Sequence, residues 1–241
     1  MATAIPKAHA IFRRHDGILR TGEALAAGVH PRTLYEMRES GEVQILARGV
    51  YRLAKLPPLA DPDLVTVAKR VPNAVVCLIS ALALHELTTQ IPHEIHIAIR
   101  RSAGTPVLTY PPLRVYRFTD TAFEAGIETR KIDGISVRIY GAEKTLADCF
   151  KYRNRIGLDV VLEALRTYCG RRKKDFQKLY KYAQVCRVER VMRPYLEASV
   201  DRPKYHRLGP STPAERRRAN KIVPSINSPS SSFGSSKRQH T

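Results

Sequence analysis

The segment that most constrains the fold is a three-residue turn, Gly28-Val29-His30, followed directly by Pro31. Glycine can take the left-handed backbone conformation that a tight corner between two helices requires. Proline suits the first turn of a helix, where its missing N–H has no intrahelical partner. The turn therefore predicts two helices that meet at a corner, the second running from Pro31 to about Ser40.

Two further helices are predicted before this corner. Apolar residues recur at helical spacing over Ala4 to Arg14. Thr21 is a suitable N-cap for a short helix that ends at Ala27, with Leu25 facing inward. Together with the helix after the corner, these are the parts of a helix-turn-helix.

A β-hairpin is predicted immediately after the helices. Val43 to Ala47 and Val50 to Leu53 place apolar residues on both sides of an Arg48-Gly49 turn. A helix-turn-helix followed by a hairpin is the order of a winged helix. We therefore expect a winged helix-turn-helix DNA-binding domain over residues 1–56.

The helix that begins at Pro31 is the expected recognition helix. At about 100° per residue, Leu34 and Met37 share the face that would pack on the preceding helices. Its other face would enter the major groove, where Arg can pair with guanine and Glu can accept from cytosine N4. The candidate DNA-contacting residues are Arg32, Thr33, Tyr35 and Glu36 on this helix and Arg48 and Arg52 on the hairpin. Tyr35 also fits a packing role, and winged helices also serve as protein-docking modules.

The charge of the chain points to a polyanionic partner. Its 241 residues carry a formal net charge of +19, with 41 Lys and Arg against 22 Asp and Glu. The charge is concentrated in the first 55 residues and beyond residue 150, and the segment between them is neutral. Such a balance indicates nucleic acid or an anionic membrane surface.

The sequence favours a cytoplasmic protein that has no membrane partner. The longest apolar run, Ala74 to Leu84, is far shorter than the roughly 20 residues of a spanning helix. The first residues lack the apolar core of a secretory signal. The 4 cysteines are widely spaced, as expected for reduced thiols in a cytosol.

The remaining chain divides into two expected segments. Three prolines between Pro57 and Pro62 predict a linker. Beyond it we expect an α/β domain over residues 61–200, with a helical C-terminal part. From Pro203 onward, prolines, serines and basic residues predict a disordered basic tail over residues 203–241. The predicted fold class is therefore mixed α+β.

The second domain shows both strand and helix patterns. Strands are predicted over 94–99 and 113–118, and Asp133-Gly134 is a strong two-residue hairpin signal. A helix over 80–87 would be capped by Ser80. Further helices are predicted over 61–70, 142–153, 158–168, 175–185 and 189–198.

No motif in the chain predicts an enzyme. His93 and His96 would point to opposite faces of a strand, and no other ligand completes a metal set with them and His85. Glu143 and Lys144 are adjacent at a helix start, so their side chains diverge and make a poor nuclease site. Phosphate-binding glycine motifs are also missing. We expect no catalytic residue, no metal and no cofactor.

A cluster of basic residues in the helical part is a possible phosphate or partner patch. Its members are Lys151, Arg153, Arg155, Arg171, Arg172, Lys173 and Lys174. A solvated surface is the plainer interpretation of such a cluster. The alternative is a patch that holds DNA phosphate beside the winged helix, or that competes for an RNA or nucleotide substrate. The sequence does not separate these interpretations.

Several stretches of the chain resemble the AbiEi-type antitoxins of type IV toxin–antitoxin systems. In the N-terminal half the matching stretches are Gly17 to Val29, Thr33-Leu34-Tyr35, Gly41-Glu42-Val43 and Ala47 to Leu53. In the second half they are Ser80 to Thr88, Ile95 to Ile99, Glu143 to Arg153, Leu162 to Leu165 and Pro194 to Ala198. The resemblance covers roughly residues 5–200, and the basic tail departs from the family pattern.

The resemblance implies an antitoxin of an abortive infection system with two activities. The winged helix would repress its own operon by binding operator DNA. The C-terminal domain would counteract a cognate AbiEii-type nucleotidyltransferase toxin, and the antitoxin itself would not be an enzyme. One alternative is a stand-alone winged-helix transcriptional regulator with a ligand-sensing or dimerising C-terminal domain. Another is a toxin-binding scaffold whose winged helix docks protein.

Overall fold

A computed structural model describes residues 4–200, so the predicted tail over 203–241 lies outside the described residues. The N-terminal part contains three helices and three short strands. Its elements are α1 (Ala4–Arg14), β1 (Ile18–Arg20), α2 (Thr21–Ala26), α3 (Pro31–Glu39), β2 (Val43–Ala47) and β3 (Val50–Leu53). The strands form an antiparallel sheet in the order β1-β3-β2. Helix α1 buries Ala8, Ile11 and Phe12 against this part, which explains the apolar spacing that predicts it.

The second part is a five-stranded sheet with helices on both faces. Its first elements are α4 (Pro62–Arg70), β4 (Val75–Val76), α5 (Leu78–Leu84), β5 (Ile95–Arg100), β6 (Leu113–Phe118), α6 (Asp120–Glu124), β7 (Ile127–Ile132) and β8 (Ile135–Tyr140). The helical C-terminal part follows as α7 (Ala142–Lys151), α8 (Arg153–Ile156), α9 (Leu158–Gly170), α10 (Phe176–Val185) and α11 (Glu189–Val200). The strand order is β6-β5-β4-β8-β7.

The five-stranded sheet has an apolar core on each of its two faces. Ile97 and Ile139 face α4 on one side of the sheet. Ala98 and Tyr140 face the C-terminal helices on the other side. Because the side chains of a strand alternate between faces, the strands of this sheet supply both cores.

The N-terminal part packs directly on the second part. Ile18 and Val50 share a buried cluster with Val65 of α4 and Ile135 of β8. At the turn between β7 and β8, the Asp133 carboxylate accepts hydrogen bonds from the backbone N–H groups of residues 60 and 61, at 3.1 and 3.2 Å. The chain through residue 200 therefore forms one compact unit. The predicted domain boundary near residues 56–61 stays a prediction.

The mixed α+β class is confirmed, and three details of the predicted helices are wrong. Thr21 is the first residue of α2 and not its N-cap, because the backbone N–H of Arg20 is bound by the Glu23 carboxylate at 2.8 Å. Leu25 is 40% exposed, and the residue of α2 that turns inward is Ala24. In the second part, Ser80 lies within α5, whose N-cap is Cys77.

Candidate nucleic-acid interface

Helix α3 is fixed in place from both its start and its inner face. The side chain of His30 caps it, with Nδ1 accepting a hydrogen bond from the backbone N–H of Arg32 at 3.2 Å. Pro31 occupies the first turn. Leu34 and Met37 are buried in the N-terminal core, as predicted. These contacts leave the outer face of α3 exposed.

The outer face of α3 carries most of the residues predicted for it. Of the predicted residues, Arg32 and Glu36 are exposed, and Tyr35 is 55% exposed. They line a shallow hollow together with Ala4 and His30. The guanidinium carbon of Arg38 lies 5.2 Å from the centre of the Tyr35 ring. Sequence reasoning missed Arg38, although its position three residues after Tyr35 on a helix places the two side chains side by side.

Two of the predicted DNA contacts face the protein interior. Thr33 is among the residues that line the α3 hollow, but only 8% of its surface is exposed. Arg52 is only 4% exposed, and its guanidinium donates to the backbone carbonyl of Pro57. Strand β3 is the middle strand of its sheet, so a residue on it has neighbours on both sides. Thr33 and Arg52 are therefore not expected to contact DNA.

The tip of the β2–β3 hairpin presents Arg48 to the surface. Gly49 takes a left-handed conformation, with φ of 73°, which closes the turn. The backbone N–H of Thr21 donates to the Gly49 carbonyl at 2.9 Å and ties the tip to the start of α2. Arg70 of α4 lines the same surface hollow as Arg48. Sequence reasoning missed Arg70, because it comes from the second part of the chain.

The predicted basic patch does not form one cluster. Lys151, Arg153 and Arg155 lie just before α9, and residues 171–174 follow its end. A helix of 13 residues is about 20 Å long, so the two groups sit at opposite ends of it. Arg171 is partly committed to the structure, since it donates to the carbonyls of His85 and Glu86. The predicted single patch is therefore wrong, and the structure has two separate basic groups. In the group that follows α9, Arg172 and Lys173 are exposed.

The residues considered for enzyme chemistry have structural contacts. The His85 ring bonds the Tyr140 carbonyl at 2.7 Å, and burial lowers the pKa of this histidine. Burial also lowers the pKa of His96 to about 4. Glu143 accepts from the Tyr168 hydroxyl at 2.8 Å. Among the described residues, no three His, Cys, Asp or Glu side chains gather as a metal site would require.

The helices α2 and α3, their corner and the following hairpin have the arrangement of a helix-turn-helix regulator. Residues 9–54, which run from α1 to the end of this hairpin, match a family model described as "Transcriptional regulator, AbiEi antitoxin". The N-terminal region is therefore similar to the AbiEi antitoxins over these residues. The resemblance of the second half to these antitoxins stays a prediction.

A solved structure also matches most of this chain, at low identity. The crystal structure of the RV2827C protein from Mycobacterium tuberculosis matches with a TM-score of 0.46 and 16% identity. The match covers 82% of this chain and 81% of that chain. None of the curated proteins matches.

Within residues 4–200, no helix is both long enough and apolar enough to cross a bilayer.

Proposed function

We propose that this protein represses its own operon by binding operator DNA and counteracts an AbiEii-type nucleotidyltransferase toxin. The observation that carries the proposal is the exposed polar face of α3, inside the region that matches the AbiEi antitoxin family. The proposal requires a protein that works in the cytoplasm beside the chromosome.

The DNA-binding step rests on two surfaces of the N-terminal part. Arg32, Tyr35 and Glu36 stand on the exposed face of α3, where they would meet base edges in the major groove. Arg48 at the hairpin tip would contact phosphate or the minor groove. The net charge of +19 would add a phosphate attraction that salt weakens.

The antitoxin step is assigned to the second part of the chain. Support comes from the family of the N-terminal region and from the resemblance of the stretches between residues 80 and 198 to the same antitoxins. The exposed basic residues at the two ends of α9 are the candidate partner surfaces, with Lys151 at one end and Arg172 and Lys173 at the other. The proposal concerns functional antagonism of the toxin in the cell.

DNA binding is tested by fluorescence anisotropy with a duplex from upstream of the gene. Arg32→Ala and Arg48→Ala should each weaken binding by about 5- to 100-fold, which corresponds to a loss of about 1–2.7 kcal/mol for a base or phosphate contact. Arg166→Ala is the matched control, because Arg166 is an exposed arginine on α9. Equal affinities for all four proteins would remove α3 and the hairpin tip from the interface.

Toxin antagonism is tested by growth rescue on co-expression with the neighbouring toxin. Full-length variants are preferable to a deletion, because removing residues 1–56 would uncover Val65 and Ile135. Arg32→Ala and Arg48→Ala should rescue growth as well as the unaltered protein does. Loss of rescue in either folded variant would contradict the division of labour. If the unaltered protein fails to rescue a toxic neighbour, the stand-alone regulator becomes the better assignment.

A further inference from the structure

The central strand of the larger sheet is much shorter than its neighbours. Strand β4 has 2 residues, and the strands on either side, β5 and β8, have 6 each. Val75 pairs with Ala98 of β5, and Val76 pairs with Ile139 of β8. The end of β5 and the start of β8 therefore extend beyond β4 on the same side. Directly before β4, the backbone N–H of Ala74 donates to the Val71 carbonyl at 2.9 Å and not to a neighbouring strand, so the sheet is open at this point.

This opening is a cavity, which we call the notch. Two hollows of about 220 and 340 Å³ adjoin there, and both are lined by Val71, Ala74 and Arg138. Ile99 and Phe123 add apolar surface to the larger one. Small-molecule sites typically measure roughly 300–1,000 Å³ and combine apolar walls with a few polar groups. The notch has that size and that composition.

Arg138 supplies an available positive charge at the notch. Its Nη1 donates to the Asn73 carbonyl at 2.9 Å, and its guanidinium carbon lies 5.7 Å from the centre of the Phe123 ring. Within residues 4–200, no carboxylate forms an ion pair with Arg138. A guanidinium has five N–H donors, so most of those of Arg138 remain available to a ligand.

A second arginine at the notch is already neutralised. Arg100 lies 5.1 Å from the same Phe123 ring. It pairs with Asp120 at 3.0 Å and also with Glu124. One unpaired cation beside two carboxylates favours a ligand with a single negative charge over a polyphosphate.

We propose that the notch binds a small molecule that has an apolar body and one carboxylate. The carboxylate would pair with Arg138, whose planar fork matches carboxylate geometry. The apolar body would lie against Val71, Ala74 and Ile99. This site is separate from the proposed DNA interface and gives the second part a role in small-molecule recognition.

The test is isothermal titration calorimetry of the full-length protein with 1-naphthoate. Its neutral isostere, 1-naphthamide, tests the need for charge and should bind at least about tenfold more weakly. Arg138→Met should weaken naphthoate binding by at least about tenfold, because it removes the charged partner. Arg166→Met, on exposed α9, is the matched control and should leave binding within about twofold of the unaltered protein.

A second variant fills the notch without touching the charge. Gly104 lines the larger hollow and has open space for a side chain, so Gly104→Phe should reduce naphthoate binding by at least about tenfold. If the far-UV circular dichroism spectrum shows that Arg138→Met is unfolded, this second variant provides the test of the site. The proposal is overturned if the unaltered protein shows no saturable binding up to about 1 mM naphthoate. It is equally overturned if naphthamide binds as tightly, or if the folded variants bind like the unaltered protein.

Discussion

Replacing Lys144 by Met should destabilise the protein by about 3–5 kcal/mol, because it leaves a buried carboxylate without its cation. Lys144 and Asp148 are 0% and 1% exposed, one turn apart on α7. The lysine Nζ lies 2.5 Å from Asp148 Oδ2 and 4.2 Å from the centre of the Tyr140 ring. The other carboxylate oxygen accepts from the Cys186 thiol at 3.2 Å. The lysine is therefore the only basic group in the described part that forms an ion pair with this carboxylate.

The loss can be measured by urea unfolding followed by circular dichroism, since the chain has no Trp. At a slope of about 2–3 kcal/mol per molar urea, a loss of 3–5 kcal/mol moves the midpoint down by about 1–2 M. Met has a similar length, so lost volume contributes little to the change. A shift below about 0.3 M would show that the buried charge is compensated elsewhere and would refute this reasoning.

Two further comparisons isolate the charge. Lys144→Met combined with Asp148→Leu should recover stability to within about 1 kcal/mol of the unaltered protein, because no buried charge remains.

Burial raises the pKa of the Asp148 carboxyl. A carboxyl whose pKa is higher in the folded state than the unfolded-state pKa of about 4 stabilises the fold at pH values below 4. This stabilisation is lost as the pH rises through the folded-state pKa. The cost of Lys144→Met should therefore shrink at acidic pH.

Three other outcomes follow from the structure. Burial lowers the pKa of His96 to about 4, so the folded protein favours the neutral ring, and the full stability is present above pH 6.5. The free energy of unfolding should therefore fall by about 3 kcal/mol as the pH falls from 6.5 to 4. His96→Phe should flatten this part of the pH dependence in urea unfolding, and an unchanged slope would contradict the assignment. Gly17→Ala should cost more than about 1 kcal/mol in the same assay, because φ is +74° and a Cβ would clash with the Leu56 side chain. Gly22→Ala has open space, so a comparable loss there would refute that explanation. In DNA-binding titrations against salt, Arg48→Ala should reduce the slope by about 1, and an unchanged slope would mean that Arg48 contacts no phosphate.

The N-terminal fold could be predicted closely from sequence because its signals are local. Apolar spacing, the Gly28 corner and the Arg48-Gly49 turn each act within a few residues. The predicted bounds of α1 and of both hairpin strands agree with the structure. Strand β1 was missed, because its three residues show no alternation and pair with β3 residues 30 to 34 positions away.

The candidate site was harder to predict because exposure depends on distant neighbours. Helical periodicity identified Arg32 and Glu36 as exposed, since a single helix face decides this. Arg52 looked equally exposed in the sequence, but β1 and β2 flank its strand and the Pro57 carbonyl binds its guanidinium. Likewise, the basic patch appears continuous along the chain, whereas the length of α9 separates it into two groups.

The most direct test of the central claim is the affinity of the full-length protein for DNA from upstream of its own gene, measured by anisotropy against a scrambled duplex. We expect the upstream duplex to bind at least about 1,000-fold more tightly at physiological salt. Arg32→Ala should remove about 5- to 100-fold of that preference, and Arg166→Ala should leave it intact. Equal affinity for the two duplexes, or a preference that Arg32→Ala leaves unchanged, would contradict the assignment of α3 as the recognition helix.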